Sequence, residues 1–315
     1  MDGILRSKSI IREYQVINLL KRILFINRES TATIVLRNWL SQGITPDDIT
    51  PDHIQPVYRT LRKISTAPDF TPIQDLLPTE CQPGQNASDP VWGVIVETRK
   101  HPALERVIDN FIEQTQIPIQ LFHGINNLDF IRSTKIEQWI QEGKVLLTLL
   151  NVGDLTLQMY NALFLSKRFW NLVLGRAKIL VFQTDTLCCP QSEYSLEDFV
   201  NFDYIGSKWP RWRPVGLIAD GGNGGLSLRD WNKTYECLNR FPPENWVAGE
   251  DGYFAFHIEL IGGKVGKDIE CAKFGTQREF LFKSWGAHQI SCLNKKNRKR
   301  FIRYCPEAKF LLDSK

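Results

Sequence analysis

Apolar residues fall into two kinds of run along this chain, and the kind changes near residue 90. Before it they recur at helical spacing. Ile10 to Ile26 carries such a pattern with Arg12, Lys21 and Arg22 between, which predicts an amphipathic helix. A second helix is predicted over Thr31 to Leu40, ending at Gly43. Beyond Gly43 the chain is broken into short pieces by Pro46, Pro51 and Pro56, and the Pro-rich stretch from Pro68 to Pro90 reads as linker. Residues 1–89 are therefore expected to form a helical N-terminal extension.

From Val91 the runs become short, apolar and regularly interrupted. Val91 to Val96 is almost continuously apolar, as a strand buried on both faces requires. Pro102 then opens a helix that places Leu104, Val107, Ile108 and Phe111 on one face. Further strands are predicted at Ile117 to Phe122, Lys144 to Leu150 and Lys178 to Phe182. Helices are predicted at Lys135 to Gln141 and from Leu155 to about Val173. This order predicts an α/β fold with a mostly parallel sheet and right-handed crossovers. After Asp185 the strands are short and Gly-rich, so a mixed C-terminal half is expected. The expected divisions are 1–89, 90–294 and a basic tail, 295–315.

Composition changes this picture little. The chain has 315 residues, 43% hydrophobic and 23% charged, as a folded globular protein has. Net charge is +4, and the densest basic run is Lys295-Lys296-Asn297-Arg298-Lys299-Arg300. It reads either as a solvated tail or as a contact for nucleic acid or an anionic membrane surface. No RNA-binding aromatic signature accompanies it. The seven Cys include no Cys-x-x-Cys pair, so free thiols in a reducing compartment are expected. No signal peptide is visible, and Tyr14 to Leu20 is too short to span a bilayer. The expectation is a cytoplasmic protein without a transmembrane segment, with weak membrane-surface contact left open.

Several chemistries are excluded by missing motifs. There is no Gly-x-Gly-x-x-Gly after the first strand, no P-loop, no Gly-x-Ser-x-Gly elbow and no His-Glu-x-x-His. In an open parallel sheet, ligands bind outside the carboxyl ends of the strands. Those ends are predicted at Glu97-Thr98-Arg99, His123-Gly124, Asn151 and Thr184-Asp185. Their polarity suits a nucleotide. Asp185 ends the apolar strand Ile179 to Phe182, where it either caps the next turn or holds a divalent cation against a diphosphate.

Four segments occur in order: Glu97-Thr98-Arg99-Lys100-His101-Pro102, Phe182-Gln183-Thr184-Asp185, Tyr204-Ile205-Gly206-Ser207-Lys208-Trp209, and Asn223-Gly224-Gly225-Leu226-Ser227-Leu228-Arg229. With Glu250-Asp251 and Trp285-Gly286-Ala287-His288, they resemble the glycosyltransferase-A-like family catalogued as a domain of unknown function (number 5672). The resemblance runs from about Val91 to about Gln289. It implies a glycosyltransferase-A fold, a nucleotide-sugar donor and a metal, Mn2+ or Mg2+. Asp185 matches the last Asp of the superfamily's Asp-x-Asp motif, whose first Asp is here Gln183. His288 resembles the late His that supplies another metal ligand, or is an ordinary surface His.

Gly224 and Gly225 let a sugar ring approach the backbone, with Asn223 bonding a hydroxyl, or they make a simple turn. Thr98, Arg99, Asn161 and Thr184 are placed against the donor. For Thr98, Arg99 and Asn161, helix capping and surface ion pairing are the alternatives. Arg229 faces phosphate or pairs with a carboxylate. Glu250 and Asp251 open a helix predicted from Gly252 to Ile258. Asp251 is the expected general base and Glu250 its support, with helix capping as the alternative. The expected activity is transfer of a sugar from a nucleoside diphosphate to the hydroxyl of an unidentified acceptor, inverting if Asp251 sits opposite the leaving group. The alternative is a carbohydrate- or nucleotide-binding module of the same fold, weakened by Gln183.

Overall fold

The computed structural model describes residues 29–78 and 89–313. The helix expected at Ile10 to Ile26 and most of the second half of the linker lie outside the described residues. The strands are β1 (Val91–Glu97), β2 (Ile119–His123), β3 (Val145–Leu149), β4 (Lys178–Phe182), β5 (Thr186–Cys188), β6 (Tyr204–Ser207), β7 (Trp212–Arg213), β8 (Leu217–Ile218), β9 (Asn223–Asp230), β10 (Gly275–Thr276) and β11 (Gly286–His288).

The main sheet has the order β3-β2-β1-β4-β9-β6. Its first four strands are parallel, while β9 runs antiparallel to both β4 and β6. The fold is thus mixed α/β with a mostly parallel central sheet. Alternation along β1 shows why it is central: Trp92, Val94 and Val96 enter one core, Val91 and Ile95 the other. Helix Leu104–Thr115 covers the second face with Leu104, Val107, Ile108 and Phe111, the four residues its spacing selects.

The predicted helix from Leu155 to Val173 is two helices, Leu157–Phe164 and Lys167–Leu172. At the break the Trp170 indole N–H donates to the Phe164 carbonyl at 2.7 Å. That bond satisfies a carbonyl the helix end would otherwise strand.

Residues 29–78 belong to the main core and are no appendage. Helix Thr31–Leu40 lies on helix Glu250–Leu260, and Ala32, Val35, Trp39, Ile54, Val57, Ile73 and Leu76 join the same buried cluster as Trp92 and Val181. Ser30 and Thr33 hydroxyls donate to Glu259 at 2.6 and 2.8 Å. The Tyr58 hydroxyl donates to Nε2 of fully buried His257 at 2.6 Å, because Nδ1 must carry the proton it gives to the Tyr253 carbonyl. Burial pulls the His257 pKa from 6.5 down to about 3.

The basic run is likewise not a free tail. Lys295–Tyr304 is a helix, capped by the Asn294 side chain, with Phe301 and Tyr304 buried in the second core. Among the described residues six cysteines are free thiols, five of them buried. No described helix is long and apolar enough to cross a membrane.

Candidate functional site

Parallel register brings Glu97, His123 and Leu149 to one edge of the sheet, the edge at which β4 also ends. Antiparallel β9 adds the opposite end of its strand there. Leu226 pairs with Phe182, so Asn223, Gly224 and Gly225 lie beside Gln183 and Thr184. The small sheet β10-β11-β5 completes the edge: His288 pairs with Thr186, and the Gln289 N–H donates to the Asp185 carbonyl at 3.0 Å. This pairing sets His288 Nε2 3.3 Å from Asp185 Oδ1.

Two adjoining cavities open along this edge. One, of about 280 Å³, is lined by Glu97, Thr98, Arg99, Asp154, Thr184 and Asp185. The other, of about 240 Å³, is lined by Asn161, Arg213, Asn223 to Gly225, Glu250, Asp251 and His288. Leu157, Tyr160 and Gln183 line both and so join them into one cleft.

In the first cavity Glu97 organises the surroundings. Its carboxylate, 4% exposed, accepts two bonds from the Arg99 guanidinium at 2.9 and 2.8 Å and one from the Thr184 hydroxyl at 3.3 Å. The bonds hold Arg99 charged and fix its direction, while more than half of its side chain stays open to solvent. Thr98 is buried in the cavity wall.

Asp185 and His288 have buried polar atoms without hydrogen-bond partners among the described residues: Asp185 Oδ1 and both ring nitrogens of His288. Burial pushes the Asp185 carboxyl up, but His288 and Gln289 outweigh it and hold the group below its usual range. Gly225 faces them. A Cβ there would sit 2.4 Å from the His288 ring and 2.7 Å from Gln183 Oε1, so the missing side chain leaves the space in front of His288 open. Asn223 Oδ1 accepts the Gly225 N–H at 2.8 Å and locks that backbone.

The second cavity ends at helix Glu250–Leu260, which begins at Glu250 and not at Gly252. The two acids separate sharply. Glu250 is buried and clasped by Arg229, with Oε2 to Nη1 at 2.7 Å and Oε1 to Nη2 at 3.0 Å. Burial raises its carboxyl and the Arg229 guanidinium opposes the rise. Arg229 lies among the rings of Phe164, Tyr204 and Phe254 at 5.2, 5.4 and 5.3 Å, with no exposure. It pairs with a carboxylate and leaves nothing for a phosphate.

Asp251 keeps a partly exposed carboxylate in the cleft. It is approached by Asn223 Nδ2 at 3.4 Å and Arg213 Nη2 at 3.8 Å. Asn161 lines the same cavity, and its side chain accepts the Glu250 N–H at 3.1 Å and donates to the Thr66 carbonyl at 2.7 Å.

Two cleft residues carry no signal in the sequence. Arg213 stacks on Trp209, its guanidinium carbon 3.8 Å from the ring centre, and no motif marks that pairing. Tyr160 lines both cavities, with its hydroxyl buried and without a hydrogen-bond partner among the described residues.

Residues 154–295 match the model of the family described as "Protein of unknown function (DUF5672)". The motifs resemble this family. Its matched stretch holds Asp185, the Gly-rich strand, Asp251 and His288, and it leaves out Glu97 to Pro102. No curated protein matches the chain. Among solved structures, the chain is similar to one described as a glucose-1-phosphate thymidylyltransferase from Bacillus anthracis in complex with a sucrose. The TM-score is 0.36 at 12% identity, over 54% of this chain and 83% of that one. It is also similar to the apo-form glycosyltransferase GlyE of Streptococcus pneumoniae, with a TM-score of 0.41 at 12% identity, over 71% of this chain and 62% of that one.

Proposed function

We propose that the chain transfers a sugar from a nucleoside-diphosphate donor to an acceptor hydroxyl. The observation that carries this reading is the convergence of Asp185, His288 and Asp251 on one cleft at the carboxyl edge of the sheet. The donor's nucleotide fits the cavity of Thr98, Arg99 and Thr184, where Glu97 holds Arg99 ready for a phosphate oxygen. The sugar then lies along Gly224 and Gly225, where backbone without Cβ admits it. The acceptor enters the second cavity, beside Asp251.

Asp185 and His288 would hold a divalent cation, Mn2+ or Mg2+. One carboxylate and one imidazole leave room for phosphate and water ligands, and their polar atoms without a hydrogen bond, Oδ1 and Nε2 standing 3.3 Å apart, fit that role. When bound, the ion neutralises the departing diphosphate. The chain's own chemistry is proton transfer. As the acceptor oxygen bonds to the anomeric carbon and the bond to diphosphate breaks, the hydroxyl proton passes to the Asp251 carboxylate. Attack from the Asp251 side, opposite the leaving group, inverts the anomeric centre. Asn223 and Arg213 hold the carboxylate in position.

A thermal-shift screen of nucleotide sugars, with manganese and with chelator, tests the proposal. A ligand of the folded state raises its melting temperature by mass action. One nucleotide sugar is expected to do so with manganese and to lose the effect in chelator or in Asp185→Asn. No shift with any nucleotide sugar would sink the reading. Gln183 supports a second reading, since it leaves the cleft a single acidic ligand: a module that binds the donor without turnover. A shift without donor hydrolysis or transfer would favour it.

A further inference from the structure

Helix Lys295–Tyr304 turns Phe301 and Tyr304 into the core and its charge outward. Lys295, Lys296, Lys299, Arg300 and Arg303 are exposed, and at 3.6 residues per turn they fall within an arc of about 140°. Among the described residues none of the five has an ion-pair partner. Arg298, on the inner side, is tied to the carbonyls of Ser291 and Leu293.

Beside this arc lies the loop between β10 and β11. Phe280 of the loop packs against Phe301 and Tyr304 at 5.3 and 5.7 Å, and the Arg300 guanidinium lies 5.6 Å from its ring centre. The Tyr304 hydroxyl fastens the loop by donating to the Ser284 carbonyl at 2.9 Å. The next residue after Phe280, Leu281, is 57% exposed, and Phe282 is only half-buried. Arg278 and Lys283 flank them. Glu279 sits in the same loop, but Lys208 holds it at 2.9 Å. Glu307, past the helix end, is the exposed acid nearest in sequence.

We propose that this face docks on an anionic lipid surface, with Leu281 and Phe282 entering the headgroup region and the helix cations facing the phosphates. Cations alone would serve nucleic acid equally well. The exposed aliphatic tip between basic residues decides for a bilayer, where apolar burial adds to charge. Docked there, the face is held by a loop that leads directly into β11 and His288.

Sedimentation with vesicles of phosphatidylcholine, and of phosphatidylcholine mixed with phosphatidylserine, tests this. The full chain is expected to bind only the mixed vesicles and to be released by high salt. Lys295→Gln, Lys296→Gln, Lys299→Gln and Arg303→Gln together should weaken binding by at least about ten-fold with the melting temperature kept. Leu281→Ser alone should weaken it about three-fold or more without changing the salt response. Absence of binding to mixed vesicles, equal binding to neutral ones, or an unaffected Leu281→Ser protein would overturn the proposal. So would tighter binding to a homopolymeric RNA than to mixed vesicles.

Discussion

Arg229 and Glu250 meet in a two-pronged ion pair shut away from water, one residue before the carboxylate that faces the cleft. The pair fixes the first turn of helix Glu250–Leu260 and thereby the direction of Asp251. Glu250→Ala would leave a buried guanidinium uncompensated and should destabilise the protein by about 3–5 kcal/mol. Urea unfolding of the single variant checks this, and a change near zero would show that the pair is not structural.

Gly224 borders the same pair. A Cβ there would stand 2.3 Å from Glu250 Oε1 and 2.8 Å from Arg229 Nη2. Gly224→Ala should therefore destabilise the fold, whereas Gly225→Ala should chiefly obstruct the space before His288 and Gln183. Comparing melting temperature with the manganese-dependent donor shift for both variants separates the two outcomes.

Asp251→Asn keeps the shape and removes the carboxylate proposed as the base. Turnover is expected to fall by about 100- to 10,000-fold, with donor affinity nearly unchanged. Normal turnover would place the base elsewhere.

His257 gives stability a pH dependence. Its pKa is about 3 in the folded chain, against 6.5 as the ordinary value. Between these values the unfolded chain binds a proton that the folded chain refuses. Stability should thus fall as pH falls below 6.5, by about 1.4 kcal/mol per pH unit from this group. Denaturant titrations of the protein and of His257→Phe across that range would reveal whether the slope belongs to this residue.

A chain starting at Ser88 loses Tyr58 from His257, Ser30 and Thr33 from Glu259, and the apolar cover of helix Glu250–Leu260. It should be insoluble or melt without cooperativity. A soluble, cooperative truncated protein would show that the first layer is dispensable.

These contacts mark the boundary of what the sequence discloses. Strands such as Val91 to Val96 are legible because burial on both faces demands an unbroken apolar run, and their order announces a parallel sheet. Asp185 is legible because it closes such a run. The tie of Tyr58 to His257 is not, since a hydroxyl and an imidazole carry no local mark of a partner far along the chain. Proline spacing makes residues 46–78 resemble an appendage and linker, although their apolar side chains are core. The division of labour between Glu250 and Asp251 is equally silent, because adjacent helical residues point in different directions and only packing decides which one meets Arg229.

Strand β11 supplies His288 to Asp185 by pairing with β5, across a long interval of chain. The four parallel strands and their crossovers come from residues 91–182, and β1 meets β4 across nearly as long an interval, Val91 beside Lys178. All four parallel strands precede residues 286–288 in chain order, so the side of the cleft that carries His288 is the last part of it to be synthesised.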